Sequence, residues 1–174
     1  MKNVQNVRTV HFDQLTLQFQ YLKNNQLSEK ITLKTGAQHI AESFFKQNLP
    51  AEAETEYAIN FIEDELMSHK KLMNDNEKLV CADKSLMAIF ERNGLKQGIV
   101  SREAVEYLFT QYAYVVLGAS GFVQNVDVNR YDFAALLVLR EIMHHLNFDE
   151  IEVIDSFRIT NVSKISRMNN YMLN

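Results

Sequence analysis

The stretch Arg140-Glu141-Ile142-Met143-His144-His145 holds the residue types best suited to chemistry. On a helix, Glu141 stands three and four residues before the two histidines, so both imidazoles approach its side of the cylinder. An E-x-x-H step aims a carboxylate and an imidazole at one ion, and di-metal helical bundles use that step twice. One copy occurs in this chain. Glu65 and His69 add a second carboxylate and imidazole at i and i+4, beside Glu63 and Asp64. Taken together, Glu65, His69, Glu141 and His144 make a candidate mixed N/O ligand set of the kind that suits zinc, iron or manganese. An ion held this way lowers the pKa of a coordinated water and supplies a nucleophile near neutral pH, which is hydrolase chemistry. Arg140 projects elsewhere on the helix and reaches an anionic substrate only if the local backbone turns it inward. The same histidines also have structural uses. His69 lies on an apolar stripe, and His144 and His145 fall in a last helical turn, where polar or cationic side chains are favourable.

Other chemistries have less behind them. Cys81 sits in the apolar run Leu79-Val80-Cys81, which raises a thiol pKa and marks an inert buried cysteine. No G-x-S-x-G elbow, H-E-x-x-H or C-x-x-C pair occurs. The run Tyr112 to Asn125, with Gly118 and Gly121, resembles the start of a dinucleotide turn, but Gln124 stands where the third glycine belongs. The stripe Val105, Leu108, Phe109, Tyr112 and Val116 instead describes a helix begun by Ser101 and ended by Gly118 in the left-handed conformation.

The elements that must position these residues follow from periodicity. Leu15, Leu17, Phe19 and Tyr21 alternate with polar residues, which is a strand with one buried face. Residues 28–34 fit either a hairpin arm or an approach to the helix that Ala37, Ile40, Ala41, Phe44 and Phe45 predict from about Thr35. Pro50 and the acids at 52, 54 and 56 open a second helix whose stripe runs to Met73. Leu79–Cys81 reads as a short strand, and Asp83 caps a helix that stops at Asn93-Gly94. Asp127 to Asn129 supply caps for a last helix reaching Leu146. Its half from Phe133 to Leu139 is apolar on every side, the mark of a central buried helix. Ile151, Val153 and Ile154 form a closing strand.

The expected fold is therefore α+β and helix-dominated: about five helices around Phe133–Leu139, with a small sheet near the termini from 14–22 and 150–154. Residues 1–157 read as one globular domain and 158–174 as a polar tail.

Bulk properties narrow the function classes. The chain has 174 residues, 47% hydrophobic and 23% charged, enough for one substantial core. A net charge of −4 disfavours nonspecific association with nucleic acid or anionic membranes. Three cations, Arg158, Lys164 and Arg167, are too sparse for a nucleic-acid arm. One cysteine excludes an internal disulfide framework, the first residues lack the apolar core of a secretion signal, and no run spans a bilayer. These features predict a soluble cytoplasmic protein. Without a complete catalytic motif, the leading expectation is a noncatalytic protein that associates with itself or a protein partner, as a homodimer or other homo-oligomer, and needs no cofactor. The alternative is a metal-dependent hydrolase or metal-binding protein with a His/Glu site holding zinc or manganese.

Overall fold

The computed structural model describes residues 6–24, 26–74, 76–95, 98–116, 118 and 128–154. Among them are six strands: β1 (Val7–Phe12), β2 (Leu17–Lys23), β3 (Gln26–Leu33), β4 (Lys78–Cys81), β5 (Gly98–Ser101) and β6 (Glu150–Val153). Five α-helices accompany them: α1 (Ala37–Phe44), α2 (Glu52–Met67), α3 (Lys84–Arg92), α4 (Arg102–Val116) and α5 (Arg130–His145). All six strands join one sheet in the order β3-β2-β1-β4-β6-β5. Its first three strands form an antiparallel meander, while β1, β4 and β6 run parallel. β5 lies antiparallel to β6 at the far edge.

The expectation of a helix-dominated fold with a small sheet near the termini is corrected by this topology. The sheet is mixed and six-stranded, and β6 lies between β4 and β5 instead of beside the first alternating run. β1 escapes the periodicity argument because Arg8 stands on its inward face next to Val10, at 1% exposure. The Arg8 guanidinium donates to the Leu72 and Met73 carbonyls and pairs with Glu77. It also lies over the rings of Tyr21 and Phe148, at 4.3 and 5.1 Å from their centroids. β3 carries mostly exposed residues, so only pairing with β2 makes 28–33 a strand. β5 is four residues long and runs straight into α4, so Ser101 both ends a strand and caps a helix, its hydroxyl accepting from Ala104 N at 3.2 Å.

The helices follow their local signals more closely. At α2 the Glu54 carboxylate accepts from Ala51 N at 3.0 Å. The helix stops at Met67, short of the expected Met73, and a 3-10 turn at Lys70–Leu72 brings the Leu72 carbonyl to Arg8. Asp83 and Asn129 cap α3 and α5 as their residue types imply. Gly118 takes φ 73°, the left-handed value expected after α4. The rest of the glycine turn at 119–127 and the tail at 158–174 lie outside the described residues. Every residue from Phe133 to Leu139 is buried, and α5 packs against α1, α2, α3 and α4. One core unites this helix with inward residues of the strands, including Val10, Phe19, Leu33, Cys81 and Ile151.

One contact sets the shape of the sheet's carboxyl end. The turn between β1 and β2 closes with Asp13 N donating to Thr16 O at 3.0 Å, and it presses against the start of α1. The Gln14 carbonyl accepts from Gln38 N and His39 N at 3.0 and 3.2 Å, and Leu15 O accepts from Gly36 N at 3.3 Å. A Cβ on Gly36 would stand 2.5 Å from the Leu15 carbonyl carbon and the Thr16 nitrogen. Those neighbours are backbone and cannot swing aside. Gly36→Ala is therefore expected to destabilise the protein by about 2 kcal/mol through overpacking. Denaturant unfolding checks this; an unchanged midpoint would show that the turn and α1 separate freely.

Candidate functional site

In open sheets, ligands settle beyond the carboxyl ends of the strands, at the point where chain connections diverge to opposite sides. Here that point lies between the parallel neighbours β1 and β4. From β1 the chain proceeds outward to β2 and β3, then returns through α1 and α2 to β4 on the other side. A cavity of about 180 Å³ opens there. Phe12, Asp13 and Gln14 line it from the β1–β2 turn, Ala37 and Gln38 from α1, and Asp83 and Ser85 from the start of α3. Tyr131, Asp132 and Ala135 of α5 complete the described wall. None of these lining residues is Lys or Arg.

Each carboxylate is held by its own element. Asp13 Oδ2 accepts from Gln18 Nε2 at 2.5 Å and Thr16 Oγ1 at 3.3 Å, which fixes it at the mouth of the hairpin. Asp83 caps α3, with Oδ1 accepting from Leu86 N at 2.8 Å. Asp132 is neutralised from α3 by Arg92, Nη2 to Oδ2 at 2.6 Å, and accepts from Asn129 Nδ2 at 2.9 Å. Burial pushes the Asp83 carboxyl above its ordinary pKa; nearby Asp13 adds to this, and N–H bonds from Leu86 and Ser85 offset part of it. Two residues before Asp13, His11 is drawn below its ordinary value by burial. Its neighbours Asp13 and Asp83 oppose that shift, and Lys30 reinforces it. The imidazole is accordingly neutral near pH 7.

The structure does not gather the four sequence-derived ligands around one point. Glu141 is 1% exposed and bonds to Arg140 and to His145 Nε2, the latter at 3.0 Å. Its helical partner is thus the histidine at i+4, not His144. His144 is 54% exposed and faces Glu106 of α4 at 3.9 Å. His69 sits past the end of α2, its Nδ1 within bonding reach of Ser68 Oγ at 2.7 Å and the Glu65 carbonyl at 3.2 Å. Among the described residues, no group of three or more His, Cys, Asp or Glu side chains is arranged to hold a metal ion. Cys81 is buried and burial raises its thiol pKa, in keeping with an inert core residue.

Periodicity passed over Asp13 and treated Asp83 only as a cap. Their shared signal is positional. Asp13 follows directly on Phe12, the last residue of β1, and Asp83 comes two residues after Cys81, the last of β4, so each lands at a carboxyl end.

The Asp83 environment carries a stability consequence. A carboxyl whose folded pKa lies above its unfolded value adds stability that is present below the unfolded pKa and is lost as pH rises through the folded one. Asp83→Asn keeps an equivalent helix cap and removes the penalised charge. The variant is expected to melt higher than the parent near pH 7, with the difference vanishing below the ordinary carboxylate range. A lower Tm at both pH values would contradict this reading of the site.

The sheet with its helices is the actin-like fold of Ppx/GppA phosphatases. The type II variant of the Aquifex aeolicus Ppx/GppA phosphatase superposes with a TM-score of 0.71 at 15% identity, over 94% of this chain and 58% of that one. A second structure of the Aquifex aeolicus family member gives 0.72 at 17%, covering 97% and 59%. An exopolyphosphatase from Cytophaga hutchinsonii gives 0.65 at 13%, covering 88% and 54%. The chain thus spans little more than half the length of these structures. No family model and no curated protein matches the sequence. Among the described residues, no helix is long and apolar enough to cross a membrane. The expectation of a noncatalytic association protein is overturned by these neighbours, whose names are those of phosphatases, and the hydrolase alternative accords with them better.

Proposed function

We propose that this protein hydrolyses phosphate esters or anhydrides, with the crevice between β1 and β4 as its reaction centre. The observation that carries the proposal is the placement of Asp13 and Asp83 at the carboxyl ends of adjacent parallel strands, facing one cavity. The phosphatase and exopolyphosphatase that share the fold support the same reading.

Phosphoryl transfer asks a site to position water and to neutralise charge on phosphate oxygens. The described lining contains three aspartates and no base, so the side chains alone repel a phosphate group. A divalent cation fits this donor set. The Asp83 carboxylate is half-buried and its ionised form is disfavoured by that burial and by the Asp13 charge, an arrangement that an added positive charge relieves. Asp13 and Asp83 are the residues that would hold such an ion. Oxygen donors suit magnesium or manganese better than zinc, which moves the metal reading away from the His/Glu set. When bound, the ion supplies positive charge to the phosphate and acidifies water.

The chain's own residues do the positioning. Thr16 and Gln18 hold the Asp13 carboxylate in one orientation. Arg92 takes up the Asp132 charge, leaving Asp13 and Asp83 as the lining carboxylates available to a cation. Tyr131, Phe12 and Ala135 contribute the non-acidic part of the walls. A cytoplasmic setting belongs to the same proposal and is supported by the single buried thiol of Cys81.

Phosphate release from inorganic polyphosphate is the direct assay. Activity is expected with magnesium or manganese, to vanish on chelation, and to fall by about 100-fold or more in Asp13→Asn, the scale of losing one preorganised electrostatic group. Release by the parent no greater than by Asp13→Asn under all metal conditions would refute the proposal.

A further inference from the structure

Asn93-Gly94 is the only asparagine–glycine pair in the chain. Such a pair carries a reaction that needs no partner molecule except water. The glycine nitrogen, with no Cβ beside it, can attack the carbon of the asparagine side-chain amide. Gly94 is exposed, and a Cβ built on it would meet nothing within 4 Å, so the space for that attack is open. Hydrogen bonding decides otherwise in the folded state. Asn93 follows the last residue of α3 with φ −102° and ψ 15°, and Gly94 takes φ 76°. The Asn93 amide is engaged twice: Nδ2 donates to the Ile89 carbonyl at 2.7 Å and to the Tyr112 hydroxyl at 3.1 Å, joining the end of α3 to α4. The Gly94 N–H is engaged as well, donating to Glu91 O at 3.1 Å. At that ψ the nitrogen points away from the Asn93 side chain, and the five-membered ring cannot close.

We propose that Asn93 is a deamidation site, held shut by the contact between α3 and α4 and exposed by local opening of the last turn of α3. In the opened turn Gly94 N bonds to Asn93 Cγ, the Cγ–Nδ2 bond breaks, and ammonia leaves with the Gly94 proton. Water then opens the cyclic imide at either carbonyl, giving aspartate or its isoaspartyl isomer. Neither product restores the parent turn. An ionised carboxylate has no donor, so the Ile89 carbonyl loses its partner even when the Tyr112 hydroxyl turns to donate. The new charge also stands half-buried beside that oxygen. The isoaspartyl form adds a backbone atom where the cap is set. Deamidation therefore loosens α3 from α4 in one direction only, whatever reaction the crevice performs.

Mass spectrometry of the peptide spanning Asn93 reads the reaction, with full-length protein aged in mildly alkaline buffer. The folded parent is expected to deamidate at least about tenfold more slowly than the same protein in denaturant, as a turn that opens only transiently implies. Tyr112→Phe removes one of the two amide bonds and is expected to speed the folded protein about fivefold while leaving the rate in denaturant unchanged. Asn93→Asp, which carries the product side chain, is expected to melt below the parent near neutral pH. Circular dichroism verifies that both variants fold. Equal rates for folded and denatured parent would overturn the inference. So would a folded Tyr112→Phe that deamidates no faster than the parent, or an Asn93→Asp that melts with it.

Discussion

Burial of α5 is the constraint on which the rest of the structure depends. Seven consecutive residues, Phe133 to Leu139, have no exposed side, so an apolar surface must meet this helix in every direction. The inward face of the sheet provides one part, and α1, α2, α3 and α4 provide the remainder. A small sheet near the termini could not have covered such a helix, because parallel strands and their helices form extended layers buried together. Aromatic contacts mark the seams. Phe133 meets Phe45 just past α1 at 5.8 Å between centroids and Phe109 of α4 at 5.3 Å.

Arg8 shows how the sheet tolerates a cation in that core. A buried guanidinium without acceptors would be strongly unfavourable. The chain assembles acceptors from distant residues, the carbonyls of Leu72 and Met73 and the Glu77 carboxylate, and sandwiches the planar group against Tyr21 and Phe148. The arrangement ties β1 to the segment after α2 and explains why α2 must stop before Leu72. Tyr21 shares in it: burial raises the phenol pKa to about 12, with Arg8 opposing the shift. The phenol donates to the Lys71 carbonyl and so pins the same segment from β2.

At the other end of the sheet, polar groups gather where α5 begins. Backbone contact between the β1–β2 turn and Gly36 leaves no room for a side chain, and the crevice opens beside it. Local rules of capping are obeyed at α3 and α5, yet the global result places three carboxylates around one cavity. Departures from the most stable arrangement of this kind concentrate where a protein binds or reacts. The E-x-x-H segment lies at the opposite end of α5 and serves the fold, with Glu141 tied to Arg140 and His145.

Sequence by itself determined the features that depend on neighbours a few residues away. The Asp83 and Asn129 caps, the left-handed Gly118, the alternation of Leu17 and Phe19, and the all-apolar half of α5 are of this kind, since each follows from backbone geometry over one or two turns. Tertiary structure alone decided the rest. Nothing near Arg8 in the chain says that carbonyls more than sixty positions later will satisfy it, so β1 reads as too polar to be an inner strand. Nothing near Asp13 says that Asp83 will stand across a cavity from it, because strand order is set by how layers pack and not by spacing. The His/Glu set is not gathered together, for the same reason in reverse. Favourable spacing within two helices says which residues share a helical face, but only the packing of α2, α4 and α5 decides which partners those faces meet.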